Sequence, residues 1–318
     1  MAQPLQVKQK VSRKNQKYWN GYFEPSGSQA NKSESRGWPP NRFFLTPILT
    51  ISLSLDHKEN FGWQYSPNLD PLYDYLPHPI PSSYIPENVM EYIRAEDERW
   101  EGTLSVPGFK ENAITYYRSM LSLARRLTRI FALALDLDES YFDSLTTFPG
   151  ADLAFNYYPP VPSDVGKVKE NEAMAHDVGL GSHTDLQCFT LLWQDMIGGL
   201  LVLSRGGEWI KATPIEGTIV VNIGDFLMRM TNDKWQSTVH RVEVNKTSEP
   251  RVSMPLFFGW LTLRLYLILW LTFLGFNFNE LIGVLPSCTN DSEPPKYEPL
   301  RIGDVRLKHP KTALELQY

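Results

Sequence analysis

The stretch GLGSHTDLQCFTLLWQD, beginning at Gly179, sets His183 and Asp185 two positions apart at the head of a β-forming run. Alternate residues of a regular strand share a face, so this imidazole and this carboxylate could grip a metal from one side. Taken alone, an H-x-D pair is common by chance and reads more simply as two polar residues at a strand end. A third donor has to come from elsewhere. The six histidines stand at 57, 78, 176, 183, 240 and 309. Of these, His240 lies in a second β-type run, QSTVHRVEV. Two imidazoles and one carboxylate form the donor set of non-haem Fe(II) oxygenases, which leaves coordination positions open for O2 chemistry.

A further pair follows. Arg251 and Ser253 alternate in RVSMPLFF, so they face one side of an apolar strand. An arginine fork beside a hydroxyl suits one terminal carboxylate of a small diacid, held by charge-assisted bonds. As an isolated pair it would read as an exposed salt-bridging site. The ordered set H-x-D, then H, then R-x-S is far more specific than any of its parts.

The elements that must position these residues are β-rich. After Phe148, short runs such as ADLAFNYY, CFTLLW, GLLVL, GTIVVNI and RVSMPLFF are punctuated by Pro159-Pro160, Gly198-Gly199, Gly206-Gly207 and Gly217. That spacing predicts a β-sandwich or jelly-roll barrel. Ahead of it, ENAITYYRSMLSLARRLTRIFALAL predicts one long helix, with Ile114, Tyr117, Leu121, Ala124, Leu127 and Phe131 as its apolar stripe. Arg125, Arg126 and Arg129 are expected on its solvated face. Residues 61–110, rich in prolines and aromatics, read as an irregular cover over a core.

The chain has 318 residues, of which 42% are hydrophobic and 21% charged, as in a folded globular protein. A formal net charge of -5 argues against a general nucleic-acid binder. Two cysteines, Cys188 and Cys288, imply no disulfide framework and suit a reducing compartment. Lys8, Lys10, Arg13, Lys14 and Lys17 precede no apolar run, so a disordered tail is expected rather than a secretory signal; a transit peptide is the alternative. A P-loop, a dinucleotide glycine fingerprint and a zinc-protease helix motif are all missing from the sequence.

On NYYPP (Asn156 to Pro160), GSHTD (Gly181 to Asp185), VVNIGD (Val220 to Asp225), STVHRV (Ser237 to Val242) and RVSMPLFF, the sequence resembles the isopenicillin-N-synthase-like family of Fe(II)/2-oxoglutarate-dependent dioxygenases. The similarity runs from about Phe61 to about Pro299, with one interruption. It implies a mainly β fold with flanking helices, a distorted double-stranded β-helix (jelly roll). It implies iron held by His183, Asp185 and His240, and 2-oxoglutarate bound through Arg251 and Ser253 with help from Asn156 and Tyr158. O2 would be the oxidant and a small molecule the substrate. Hydroxylation is the default outcome, with desaturation or ring closure as variants and succinate and CO2 as by-products. Asp225 is expected to cap a turn. The expected division is an atypical or partly disordered N-terminal segment (1–60), a helical and irregular region (61–148), the dioxygenase core (149–259), an apolar insertion (260–275) and a C-terminal segment (276–318).

Two departures from the family pattern stand out. Residues 1–60 do not clearly show the opening strand with a proline-rich apolar motif, then helix, then strand, of the family it resembles. Trp260 to Gly275, WLTLRLYLILWLTFLG, interrupts a pattern that resumes at Phe276, and Leu256 to Phe276 contains a single charge, Arg264. By hydropathy this is a membrane-span candidate. The other readings are a buried soluble insertion and a translated intron, and the clean resumption at Phe276 favours an artefact or an abnormal insertion. A cytoplasmic monomer is expected, with association to a membrane through 256–276 as the alternative. Two other functions compete: an oxidase that binds a substrate carboxylate at Arg251 and Ser253 without 2-oxoglutarate, and a relative that is inactive, membrane-tethered or binding-only.

Overall fold

Alternating side chains in the strand Ala151–Tyr158 enter two different environments, and that split organises the molecule. In the computed structural model, residues 5–8, 57–86, 90, 100–161, 178–259 and 281–301 are described. In chain order the elements are β1 (Leu5–Lys8), β2 (Glu59–Trp63), α1 (Phe109–Ala134), β3 (Ala151–Tyr158), β4 (Val178–His183), β5 (Phe189–Gln194) and β6 (Leu200–Leu203). There follow β7 (Trp209–Lys211), β8 (Thr218–Ile223), α2 (Asp225–Met230), β9 (His240–Glu243), β10 (Arg251–Phe258), β11 (Leu281–Ile282) and β12 (Leu300–Arg301).

A major sheet runs β1-β8-β5-β10-β3-β2 and a minor sheet β4-β9-β6-β7, every pairing being antiparallel. Register Trp63↔Leu153, Leu153↔Leu256, Leu256↔Leu191 and Leu191↔Val221 lays one apolar row across the major sheet. Cross-strand partners share a face, and this face packs against α1. The opposite face carries the row Asn60↔Asn156, Asn156↔Ser253, Ser253↔Gln194, which is polar. Tyr158, Leu192, Leu180, Leu200, Ala212 and Val242, drawn from both sheets and the segment after β7, pack together between the sheets.

The helix forms as its pattern predicts. Ala113, Tyr117, Leu121, Ala124, Leu127 and Phe131 are buried, so the stripe is centred on Ala113 rather than the half-buried Ile114. It ends in a left-handed turn at Asp136 (φ 55), with Leu137 N donating to Ala132 O at 2.9 Å and Asp136 N to Leu133 O at 3.1 Å. That arrangement satisfies the last carbonyls without a glycine.

One helix assignment is corrected. Arg126 and Arg129 are exposed, but Arg125 is not on a solvated face. Its fork donates to both oxygens of Asp70, at 2.7 and 2.5 Å, and Asp70 is fully buried. Tyr65 also donates to Asp70, at 2.7 Å. The irregular segment before the helix is thereby clamped onto it, because a buried carboxylate needs donors that only an arginine from α1 and its own neighbours provide.

Within the first sixty positions, residues 5–8 form the edge strand β1, and Glu59 begins β2. The FFLTPILTISLSL run and the 260–275 insertion lie outside the described residues. Among the described residues no helix is long and apolar enough to cross a membrane. The chain from Leu281 onward docks on the end of α2: Leu285 N donates to Met230 O at 2.8 Å, Tyr297 OH to Asp233 at 2.6 Å, and Arg229 to Glu298 O at 2.7 Å. Phe258 before the insertion and Ile282, Leu285 and Cys288 after it belong to one core cluster.

Arg125→Met should lower stability by about 3 kcal/mol, the usual loss when one partner of a buried ion pair is removed. Arg126→Met should change it by less than about 0.5 kcal/mol, as at ordinary surface sites. Urea unfolding monitored by tryptophan fluorescence measures both.

Candidate active site

His183 and His240 face each other because β4 and β9 are paired with His183↔His240 in register. Their ring centroids are 4.3 Å apart. Asp185 does not share a strand with His183, as the sequence spacing suggested. β4 ends at His183, and Asp185 lies in the link that carries the chain from the minor sheet to β5 of the major sheet. The pair converges through this turn rather than through strand alternation.

The turn is held from below. Asp225 N donates to Asp185 O at 2.8 Å, and Gly224 N to Cys188 O at 2.8 Å. A Cβ on Gly224 would stand 2.0 Å from Gln187 O and 2.8 Å from Asp185 O, so only glycine lets α2 approach this closely. Asp225 is the first residue of α2, after the Gly224 cap, and its carboxylate accepts from Thr184 at 3.1 Å. It braces the link instead of touching the donor atoms.

Each polar side chain is engaged on one side only. Nδ1 of His183 is 2.8 Å from Gly181 O, and Nδ1 of His240 is 3.0 Å from Thr238 O. A carbonyl can only accept, so Nδ1 carries a proton in both rings; in a neutral ring this leaves the lone pair on Nε2, the tautomer a metal ligand needs. On Asp185, Oδ2 accepts from Thr190 Oγ1 at 2.5 Å and from Asn222 Nδ2 at 2.7 Å. Oδ1 is left facing Nε2 of His183 at 3.8 Å and Nε2 of His240 at 3.7 Å. These gaps are too long for hydrogen bonds but fall within two metal–ligand bonds of about 2.1 Å each. Among the described residues these three are the one group of His, Cys, Asp or Glu whose ligand atoms, all within 4.8 Å of one another, could hold a metal ion.

The electrostatics agree. Burial lowers the His183 pKa and the His240 field adds to this, against Asp185 and the Gly181 carbonyl, so the ring is neutral at neutral pH. Burial pushes the Asp185 carboxyl up, but the two imidazoles and the Thr190 and Asn222 bonds outweigh it and hold the group below its usual value. Neutral imidazoles and an ionised carboxylate are the forms that bind a divalent cation.

The other predicted residues gather on the polar face of the major sheet. Arg251 pairs with Tyr158 and Ser253 with Asn156 across β10 and β3. Arg251 is 1% exposed, and its guanidinium carbon lies 4.7 Å from the Tyr158 ring centroid. Nη1 donates to Ser253 Oγ at 3.3 Å and Nη2 to Gln194 Oε1 at 3.1 Å, while the buried Nε has no partner. Nearby Asp195 is held by the amides of Val252, at 2.5 Å, and Ile197, at 3.0 Å, instead of by Arg251. The Asp195 charge bears on Arg251 without a direct bond to it, so a buried guanidinium whose fork meets only neutral oxygens among the described residues gains from an anion that joins it. Gly199, at φ 97, passes against Arg251, where a Cβ would lie 3.7 Å from its Cδ.

Sequence reasoning missed Thr190, Asn222 and Gln194. Their signal was present: each is a polar residue inside an otherwise apolar strand, in FTLLWQ and TIVVNI.

The 2OG-Fe(II) oxygenase superfamily model matches residues 149–259. A 2-oxoglutarate-Fe(II) type oxidoreductase of Metarhizium rileyi, ppzC, is 37% identical over 302 residues, spanning 95% of this chain and 69% of that protein. This chain belongs to the 2OG-Fe(II) oxygenase superfamily. A second oxidoreductase of this type, hxnY of Emericella nidulans, is 36% identical over 215 residues, 67% of this chain and 55% of its own length. The crystal structure of a full-length Neurospora crassa protein in complex with alpha-KG and thymine superposes with a TM-score of 0.62 at 27% identity, over 94% of this chain and 83% of that one. The expected double-stranded β-helix is therefore the fold. The protein is an Fe(II)- and 2-oxoglutarate-dependent oxidoreductase, and iron and 2-oxoglutarate are the cofactor and co-substrate of the superfamily.

Thr190→Val and Asn222→Leu should each weaken Mn(II) or Fe(II) binding by roughly 10- to 100-fold, the usual effect of removing a partner of a metal-binding carboxylate. Anaerobic metal titration measures this, with circular dichroism checking that the fold is retained.

Proposed function

We propose that Nε2 of His183, Nε2 of His240 and Oδ1 of Asp185 hold Fe(II), and that Arg251, Ser253, Asn156 and Tyr158 bind 2-oxoglutarate. One observation carries this reading. The three atoms left without other partners are the three that converge, while the remaining polar atoms of the same side chains are all engaged. Asn156, 7% exposed, receives and gives no side-chain bond among the described residues, which leaves its amide for a ligand.

When bound, Fe(II) with O2 oxidises 2-oxoglutarate to succinate and CO2 and puts the second oxygen atom to use on the substrate; hydroxylation is the default, desaturation or ring closure the variants. The protein's residues orient and protect this chemistry. Arg251 and Ser253 grip the far carboxylate of 2-oxoglutarate through charge-assisted bonds. Gln194, anchored by its own bond to Ala212 O at 3.1 Å, fixes the plane of the guanidinium. Leu192, Leu200 and Val242 dry the space between the sheets, which strengthens each of these interactions.

The substrate is a small molecule, and the working form is a cytoplasmic monomer. Phe258 and Ile282, which flank the insertion, share one core, so a single crossing of a bilayer about 30 Å thick between them would tear that core apart.

Asp185→Ala and His183→Ala should abolish substrate-dependent succinate formation. Arg251→Met should raise KM for 2-oxoglutarate by roughly 30-fold or more, the effect of losing a buried charge-paired contact. Product formation that needs no 2-oxoglutarate in the parent protein would instead favour the oxidase reading.

A further inference from the structure

Gln194 is the last residue of β5 and is 8% exposed. Its amide spans the two sheets at the Arg251 end. Nε2 donates to Ala212 O at 3.1 Å, in the segment after β7 of the minor sheet, and Oε1 accepts from Arg251 Nη2 at 3.1 Å. Both contacts fix which way the amide points, because a carbonyl only accepts and a guanidinium only donates. Gln194 is therefore a stop against the tip of the Arg251 side chain, anchored in the opposite sheet.

The rest of Arg251 is confined as well. The Tyr158 ring lies against its guanidinium, with 4.7 Å from the guanidinium carbon to the ring centroid. Gly199 passes against its stem, where a Cβ would stand 3.7 Å from Cδ and 3.8 Å from Nε. Ser253 Oγ accepts from Nη1 at 3.3 Å. Gln194 closes the one direction these three leave, along the axis of the fork.

It does so without neutralising the charge. A glutamate in its place would meet the same Nη2, form a buried ion pair and leave Arg251 little to gain from a further anion. Asp195, whose charge bears on Arg251, has its oxygens on the amides of Val252 and Ile197. The fork keeps its attraction for an incoming carboxylate, and it keeps it at a fixed depth. A 2-oxo diacid bound to a metal by its keto-acid end reaches a guanidinium that cannot move with one chain length only. A longer or shorter homologue binds fully only if Arg251 shifts, and Gln194 prevents the shift.

We propose that Gln194 is a specificity-determining residue for the co-substrate. It holds Arg251 as an unneutralised cation at one depth, and so selects the five-carbon 2-oxo diacid over its four- and six-carbon homologues. The inference rests on the proposed iron and 2-oxoglutarate site and names what sets that site's selectivity.

The test uses the full chain loaded anaerobically with Mn(II), titrated calorimetrically with oxaloacetate, 2-oxoglutarate and 2-oxoadipate. The parent should bind 2-oxoglutarate roughly 30-fold or more tightly than either homologue, the scale of one bond to a charged group gained or lost. Gln194→Ala gives the guanidinium room to retreat and should narrow the preference over 2-oxoadipate by roughly tenfold. Gln194→Glu, which has the parent's shape, should weaken all three ligands by roughly 30-fold or more, with Mn(II) affinity and thermal midpoint retained. A merely structural role would lower all three ligands alike in Gln194→Ala and would not single out the charge change. A parent that does not discriminate, an unchanged preference in Gln194→Ala, or 2-oxoglutarate affinity in Gln194→Glu within about threefold of the parent would each overturn the proposal. Should Gln194→Ala not fold, Gln194→Glu decides alone. Failure of the parent to bind Mn(II) and 2-oxoglutarate, or unchanged 2-oxoglutarate affinity in Arg251→Met, would sink the site reading itself, which separates the two.

Discussion

Asp185 is a carboxylate placed where water does not reach it, 5% exposed, and its cost has to be met by neighbours. Thr190 and Asn222 meet half of it by donating to one oxygen. The other oxygen faces Nε2 of His183 and Nε2 of His240 at 3.8 and 3.7 Å, too far for hydrogen bonds. A cation between these three atoms completes the cluster, so metal loading should be coupled to stability.

The donors of Asp185 sit on β5 and β8, and the histidines on β4 and β9. The two sheets must therefore hold a fixed spacing for the cluster to exist. The apolar side of the major sheet packed on α1 supplies rigidity, the Asp70–Arg125 pair fastens the preceding segment to that helix, and the docked C-terminal segment covers α2, whose Gly224 end supports the Asp185 turn. The proposed iron site is thus a property of the sandwich rather than of any one strand.

Much of this is legible in the sequence. RVSMPLFF and ADLAFNYY read as strands and coincide with β10 and β3, and the residue alternation in them brings Arg251, Ser253, Asn156 and Tyr158 to one face. The histidines can be paired only by chemistry, since nothing in two distant runs reveals the register His183↔His240. Spacing picks out Asp185, which the structure does bring beside His183, but by a turn and not by strand alternation, because sequence does not show where a strand crosses between sheets. Arg125 is misplaced for a related reason: its partner, Asp70, lies in an irregular segment with no periodicity to announce it. Thr190, Asn222 and Gln194 escape notice because a polar residue within an apolar strand reveals its role only once the group it holds is known to lie opposite.

The most direct test is a crystal structure of the full chain grown anaerobically with Mn(II) and 2-oxoglutarate. The expected result is one ion bound by Nε2 of His183, Nε2 of His240 and a single oxygen of Asp185, with the far carboxylate of 2-oxoglutarate on Arg251 and Ser253. An ion bound through Nδ1, bound elsewhere, or a co-substrate carboxylate away from Arg251 would contradict it.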